Sequence, residues 1–299
     1  MMKSLSQATL AQYSVTYRVW WEYCISNFFN PYDGNILNVL SFFQHLLNTS
    51  TINYGSFNSH RAALSLILPG DIGKDIYLKR FLKGVFRLRP TKPKYDEIWD
   101  ADVVLNFFRA ALNSDLKAVS VKLISLLTLA TGQRLQTLSL IKCSNIHQSN
   151  TGLKIYIPDL IKTSGPNRSQ PILILPFFKE DQNLCVASVL LHYLDLTKEL
   201  RTFDSELLFI TTVKPYKPAS KQTLSRWVKE GLKAAGVDTN IYKSHSTRHA
   251  ATSSALRKGA SFDVIKKAAG WSERSTVFQK FYNRPLVTSS NFLESVFKL

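Results

Sequence analysis

The chain of 299 residues holds only three cysteines, Cys24, Cys143 and Cys185. They stand far apart and form no C-x-x-C pair, so neither a zinc site nor a disulfide framework is indicated, and a reduced intracellular setting is expected. Acidic residues are also scarce, 21 Asp and Glu against 38 Lys and Arg, which leaves a formal charge of +17. A surface of that sign attracts a polyanion, with nucleic acid the first candidate and an acidic membrane face the second. The membrane is disfavoured: the chain has no run of ~18 apolar residues, and its basic residues are spread over many segments rather than gathered beside an anchor. Met1 to Gln7 lacks the apolar core of a secretion signal. Short repeats and low-complexity tracts are missing too, which sets aside solenoids and disordered tails.

What is present is a folding composition, 45% hydrophobic and 12% aromatic, in a chain long enough for two domains that each bury a core. Up to about Leu88 the pattern is helical only. Thr9 to Phe28 carries Leu10, Tyr13, Tyr17, Trp20 and Cys24 at spacings of three and four, and Asn35 to Leu47 carries Leu37, Leu40, Phe43 and Leu47. A third helix is expected over Asn58 to Leu68 with Asn58 as its cap. A fourth, Ile76 to Leu88, should bury Phe81, Leu82, Val85 and Phe86 and present Lys79, Lys83 and Arg87, either as a DNA-facing stripe or as a solvated face. The run Arg89-Pro90-Thr91-Lys92-Pro93-Lys94 then reads as a linker, since proline fixes φ and disfavours helix before it while the cations favour solvent or phosphate. The expected domains are therefore 1–88 and 99–299, joined by 89–98.

The second domain opens with Asp100 as an N-cap for Ala101 to Ala111, followed by a core helix from Leu116 to Ala130. Gly132 breaks that helix, and Arg134 starts the next short one, Leu135 to Leu140. A cation there opposes the macrodipole unless an anion is to be bound. Leu153, Ile155 and Ile157 alternate and pair with Ile172 to Leu175 as a hairpin, with Lys162 at the root of its turn. Taken alone, Lys162 is a solvent-exposed hairpin lysine. Cys185 to Leu200 is helical, and Glu206 to Val213 is either strand or buried connector. Ser220 to Ala235 is amphipathic, with Leu224, Trp227, Val228 and Leu232 inward and Lys221, Arg226, Lys229 and Lys233 outward as a second DNA-contacting face. Together these make a mainly α chain with a small antiparallel sheet.

From His245 the sequence runs HSTRHAATSSALRKGASFDVIKKAAGWSERSTVFQKFY to Tyr282. On a helix His245 and Arg248, at i and i+3, share one face. Gly259 should end that helix. A second begins after Ser261 with Val264, Ile265, Ala268 and Ala269 as its buried stripe; Gly270 stops it and presents Trp271. A third segment carries Val277, Phe278, Phe281 and Tyr282 up to Pro285. Each of these taken singly is ordinary, an exposed pair or a packed aromatic. The ordered series Arg134 in TGQR, Lys162, His245-x-x-Arg248, Trp271 and Tyr282 resembles the active-site series of the tyrosine recombinases. GW followed by FYNRP is most similar to the eukaryotic Crypton, DIRS and Ngaro-type transposon branch.

The resemblance implies a helical core-binding domain and a catalytic domain that close on double-stranded DNA as a C-shaped clamp, with Lys79, Lys83, Arg87, Arg89, Lys92, Lys94, Lys221, Arg226 and Lys229 as DNA contacts. It implies Tyr282 as nucleophile forming a 3′-phosphotyrosine, Arg134 and Arg248 as forks on the non-bridging oxygens, Lys162 as general acid, and neither metal nor other cofactor. His245 either shuttles a proton or donates to the phosphate. Trp271, donor only, contacts a phosphate oxygen. Bacterial-type members carry a carboxylate three residues after the first arginine; here Thr137 stands there, so a partner for Arg134 is missing or supplied elsewhere. A terminal helix over 289–299, with Phe292, Leu293, Val296 and Phe297 as one stripe, docks either on a neighbouring subunit of a tetramer or back on its own domain. The eukaryotic-type likeness and a DNA substrate point to the nucleus. Two rivals share the residues: a catalytically silent DNA-binding protein of the same fold, and a type IB topoisomerase-like enzyme that needs no partner subunit.

Overall fold

The computed structural model describes residues 4–111, 115–166, 168–201, 206–272 and 274–286; the expected terminal helix over 289–299 lies outside them. The chain divides into two compact units, Met1–Lys92 and Pro93–Leu299.

The first unit is four helices, α1 (Gln7–Ser26), α2 (Ile36–Thr49), α3 (Tyr54–Leu64) and α4 (Ile76–Leu88). Each begins at a side chain that takes up an otherwise unpaired backbone N–H: Ser6 accepts from Thr9, Asn35 from Leu37, Asn53 from Gly55 and Asp75 from Leu78. The cap of α3 is thus Asn53 and not Asn58, because Asn53 alone has the extended backbone that lets its oxygen reach forward. The core gathers Trp20, Cys24, Phe42, Phe43, Phe57 and Leu82. In α4 the buried side chains are Leu78, Leu82 and Val85, while Phe86 lies outside, edge-on to Tyr54 with ring centroids 5.3 Å apart. The expected stripe was rotated: the inward face is the i, i+4, i+7 seam that meets α2, α3 and the short turn Ile72–Lys74.

The expected linker is largely absorbed into the units. Arg89 donates from Nη1 to Ser50 O at 2.7 Å and from Nη2 to Leu47 O at 2.8 Å, so its guanidinium ties down the C-terminal end of α2. Tyr95, Ile98 and Trp99 are buried in the second unit.

That unit is built on α6 (Leu116–Thr131), which α8 (Val186–Thr197), α9 (Lys221–Ala234) and α10 (Ser246–Arg257) all contact. Val119, Leu123, Ile124 and Leu127 of α6 are fully buried, each contributing about 1.5–3 kcal/mol by leaving water. Asp100 caps α5 (Ala101–Ala110), and Ser220 caps α9, whose four expected inward residues are all buried. The sheet has three strands and not two: β1 (Ile146–Ser149), β2 (Gly152–Tyr156) and β3 (Ile172–Pro176), antiparallel in that order. β1 escapes the alternation test because it is an edge strand whose side chains are mostly exposed. Glu206 to Val213 is a connector, joined to its neighbours by single bridges at Leu207 and Ile210. In α11 (Phe262–Ala269), only Ile265 and Ala269 are buried; Val264 and Ala268 face outward, since a two-turn helix has one narrow inward edge. Among the described residues no helix is long and apolar enough to cross a membrane.

Candidate active site

Two left-handed glycines prepare the site. Gly132 ends α6 at φ 59° and Gly270 ends α11 at φ 69°, conformations costly to any residue with a Cβ. The turns aim the carbonyls of Gly132 and Ala269 inward, where both meet Arg248: Nη1 donates to Gly132 O at 2.6 Å and Nη2 to Ala269 O at 2.8 Å. A guanidinium only 1% exposed is thereby held at the negative ends of two helices, which offsets part of its desolvation. Burial still pushes its pKa down to about 10, with Arg134 adding to the effect and Tyr282 opposing it, so it stays charged at neutral pH. The fork expected on the non-bridging oxygens is therefore partly engaged with the backbone, and its Nε is buried with no hydrogen-bond partner among the described residues.

Around this cation stand the aromatic residues. Trp271 stacks on the guanidinium at 4.2 Å, and its indole nitrogen is likewise buried with no hydrogen-bond partner among the described residues. Tyr282 comes from a single π turn, Phe278–Tyr282, which is fixed by the buried Phe278 ring against Trp271 and Phe262 at 5.7 Å each. Its ring lies 5.5 Å from the Arg248 guanidinium and edge-on to Trp271 at 4.8 Å. The phenol oxygen is 3.1 Å from Nε2 of His245, a hydrogen-bond distance.

His245 is the residue just before α10 rather than a member of it, and Arg248 lies in its first turn. One edge of the ring is open to solvent. The enclosure of the rest pushes its pKa down to about 4, and the positive charges of Arg248, Lys94, Arg134 and Lys162 push the same way. The imidazole is therefore neutral at pH 7 in a pocket of fixed cations. Arg134 precedes α7 (Leu135–Leu138), half-buried, and its guanidinium has no hydrogen-bond or ion-pair partner among the described residues. Thr137 is buried in that same short helix. Lys162 sits exposed in the turn between β2 and β3.

Five of the six expected residues, Arg134, His245, Arg248, Trp271 and Tyr282, are thus brought together, and Lys162 is close enough to act on the charge of His245. Two neighbours were missed. His249 is stacked face to face on Tyr282, with centroids 4.1 Å apart and planes at 18°. Lys94, expected as a linker contact, bears on His245. The signal for His249 was its i, i+4 spacing from His245 inside the same motif.

The remaining expected contacts lie on α4 and the start of the linker in the first unit and on α9 in the second. Lys79, Lys83 and Arg87 are exposed on α4 beside Arg80. Lys79 and Lys83 border a groove of about 350 Å³ that Tyr54, Asn58, Arg61 and Phe86 also line. Lys92 is exposed. Lys221, Arg226 and Lys229 are exposed on α9, where Glu230 interrupts the positive face by pairing with Lys117 at 2.6 Å.

A mainly helical chain with a three-stranded antiparallel sheet, carrying two arginines, a histidine, a tryptophan and a tyrosine around one pocket, has the fold of the tyrosine recombinases. The Phage integrase family profile matches residues 99–287, and the chain belongs to that family. Its structure is similar to that of XerA recombinase, at 17% identity over 99% of this chain and 94% of that one, with a TM-score of 0.50. It is also similar to XerH site-specific recombinase bound to palindromic difH substrate in a post-cleavage complex, at 17% identity over 89% and 72%, with a TM-score of 0.60. A third similar structure is a lambda integrase (75-356) dimer bound to a COC' core site, at 16% identity over 96% and 92%, with a TM-score of 0.53. At such identities the likeness is one of fold. No curated protein matches the chain by sequence.

Proposed function

We propose that the chain is a site-specific DNA recombinase that cleaves and rejoins duplex DNA through a 3′-phosphotyrosine at Tyr282, serving integration and excision of a transposon of the Crypton, DIRS or Ngaro type. The observation that carries this reading is the 3.1 Å contact between the Tyr282 hydroxyl and a neutral His245, above a buried guanidinium. In the step, Tyr282 Oη forms a bond to phosphorus as the bond from phosphorus to the 5′-oxygen breaks. The phenol proton passes to Nε2 of His245, and the departing 5′-oxygen takes a proton from Lys162. Negative charge grows on the non-bridging oxygens, where the unpartnered N–H groups of Arg248 and Trp271 and the free guanidinium of Arg134 can receive it. Rejoining is the reverse, with the phosphotyrosyl bond conserving the energy of the broken one.

The basic faces of α4 and α9 would supply sequence-independent phosphate contacts. One similar structure is a lambda integrase tetramer bound to a Holliday junction, in keeping with strand exchange by a tetramer here. A transposon enzyme of this type would work in the nucleus, which cell imaging of the tagged chain tests. The decisive assay is incubation with a nicked suicide substrate, in which the cleaved strand cannot rejoin. The wild-type chain should give a protein–DNA adduct that survives SDS. Tyr282→Phe should remove it and spare DNA affinity, whereas an undiminished adduct would end the assignment, and a silent binding protein would form none at all.

A further inference from the structure

We propose that His249 and Ser253 are positioning residues that seat the ring and the main chain of Tyr282 for attack. The proposal rests on Tyr282 being the nucleophile. His249 and Ser253 stand one turn apart on α10, so both face the same way. His249 lies parallel to the phenol ring at 4.1 Å and supports its face. Ser253 holds its backbone: Oγ donates to Tyr282 O at 2.7 Å and accepts from Arg284 N at 3.1 Å. Ring and main chain of the tyrosine are thus both fixed from the helix that carries Arg248.

Both seats are themselves rigid. His249 is 4% exposed and Ser253 1% exposed, and Tyr95 closes the edge of the His249 ring at 5.2 Å and 88°. Burial holds the pKa of His249 down to about 3, helped by His245, Arg284 and Arg248, so the ring is neutral and supports the phenol as a flat aromatic surface. The chain on either side is anchored as well. Before Tyr282, the Phe278 ring is fully buried. After it, Pro285 O accepts from Ile98 N at 2.9 Å, and Leu286 bridges to Ile98.

The test uses the full chain and the suicide substrate. A wild-type chain that forms no adduct would bring down the nucleophile assignment rather than the seats. For the seats, single-turnover cleavage at saturating protein should fall about tenfold or more in His249→Ala and in Ser253→Ala, with DNA affinity unchanged. His249→Phe should recover most of the loss and leave the pH profile unaltered, because the flat ring is what supports the phenol. Wild-type rates in both alanine variants, or a His249→Phe rate as low as that of His249→Ala, would contradict the assignment.

Discussion

Helices α4 and α10 are nearly equal in length, 13 and 12 residues, yet they bury opposite materials. α4 turns Leu78, Leu82 and Val85 inward and leaves Lys79, Lys83 and Arg87 in water. α10 buries Ser246, Thr247, Arg248, His249, Thr252, Ser253 and Ser254. The first is held in place by area removed from water. The second is held by directed bonds, among them Trp99 Nε1 donating to Ser246 Oγ at 2.9 Å and the two carbonyls that take Arg248. An apolar seam tolerates repacking, whereas a buried polar helix is committed to one geometry, which is what an active site needs. Charge in the two helices is therefore placed differently: along the outside of α4 it faces solvent, and inside α10 it is locked between two helix ends.

The largest effect that sharpens this contrast is expected from Arg248→Lys. An ammonium cannot reach both carbonyls and stack on Trp271 at once, so cleavage should fall about 10²- to 10³-fold while DNA binding holds, measured by single-turnover cleavage and by titration. Next, Leu78→Ala in α4 should cost about 2–4 kcal/mol of stability in a denaturant titration, because the cavity it leaves cannot fully collapse. Smaller again, replacing Lys79 and Lys83 together by Gln should leave stability within ~0.5 kcal/mol of wild type and make the slope of log K against log salt shallower by about 1.8, close to 0.9 for each lost phosphate contact. An unchanged slope would make the stripe a solvated face.

The smallest effect is on pH. His245 and His249 have folded pKa values of about 4 and about 3 against an ordinary value of 6.5. Between those values the unfolded chain binds protons that the folded chain refuses, so stability is complete above pH ~6.5 and declines as pH falls toward 4. The charged groups that bear on the two rings, Arg248, Arg134, Lys94, Lys162 and Arg284, are all cationic and keep this sign, and the phenols of Tyr282 and Tyr95 that touch the rings are uncharged in this pH range. The melting temperature should therefore begin to drop between pH 6.5 and 5, before carboxylates titrate, and His249→Phe should flatten the drop.

The same contrast explains what the sequence disclosed. Amphipathic helices announced themselves by period: α4 was bounded to the residue, and the inward face of α9 was complete, because Leu224, Trp227, Val228 and Leu232 at i, i+3, i+4 and i+8 make one apolar stripe. Caps were legible where one polar residue preceded the pattern, as at Asp100, and misread at α3, where Asn53 and Asn58 competed. The edge strand β1 was lost because it buries almost nothing. At the site, the residues were legible through their order and family likeness, while their arrangement was not. No spacing rule foretells that Arg248 bonds two helix ends, that Arg89 ties α2 instead of meeting solvent, or that His249 lies flat on Tyr282. Those contacts join positions far apart in the chain, and only the fold sets them.

The central claim, that a tyrosine seated over a buried guanidinium is the atom donor to DNA, is tested most directly by trapping the adduct on a suicide substrate, digesting it, and locating the modified peptide by mass spectrometry. The result expected from the proposed function is a nucleotide joined through its 3′-phosphate to Tyr282. A phosphotyrosyl bond at any other residue, or cleaved DNA with no covalent adduct, would contradict it.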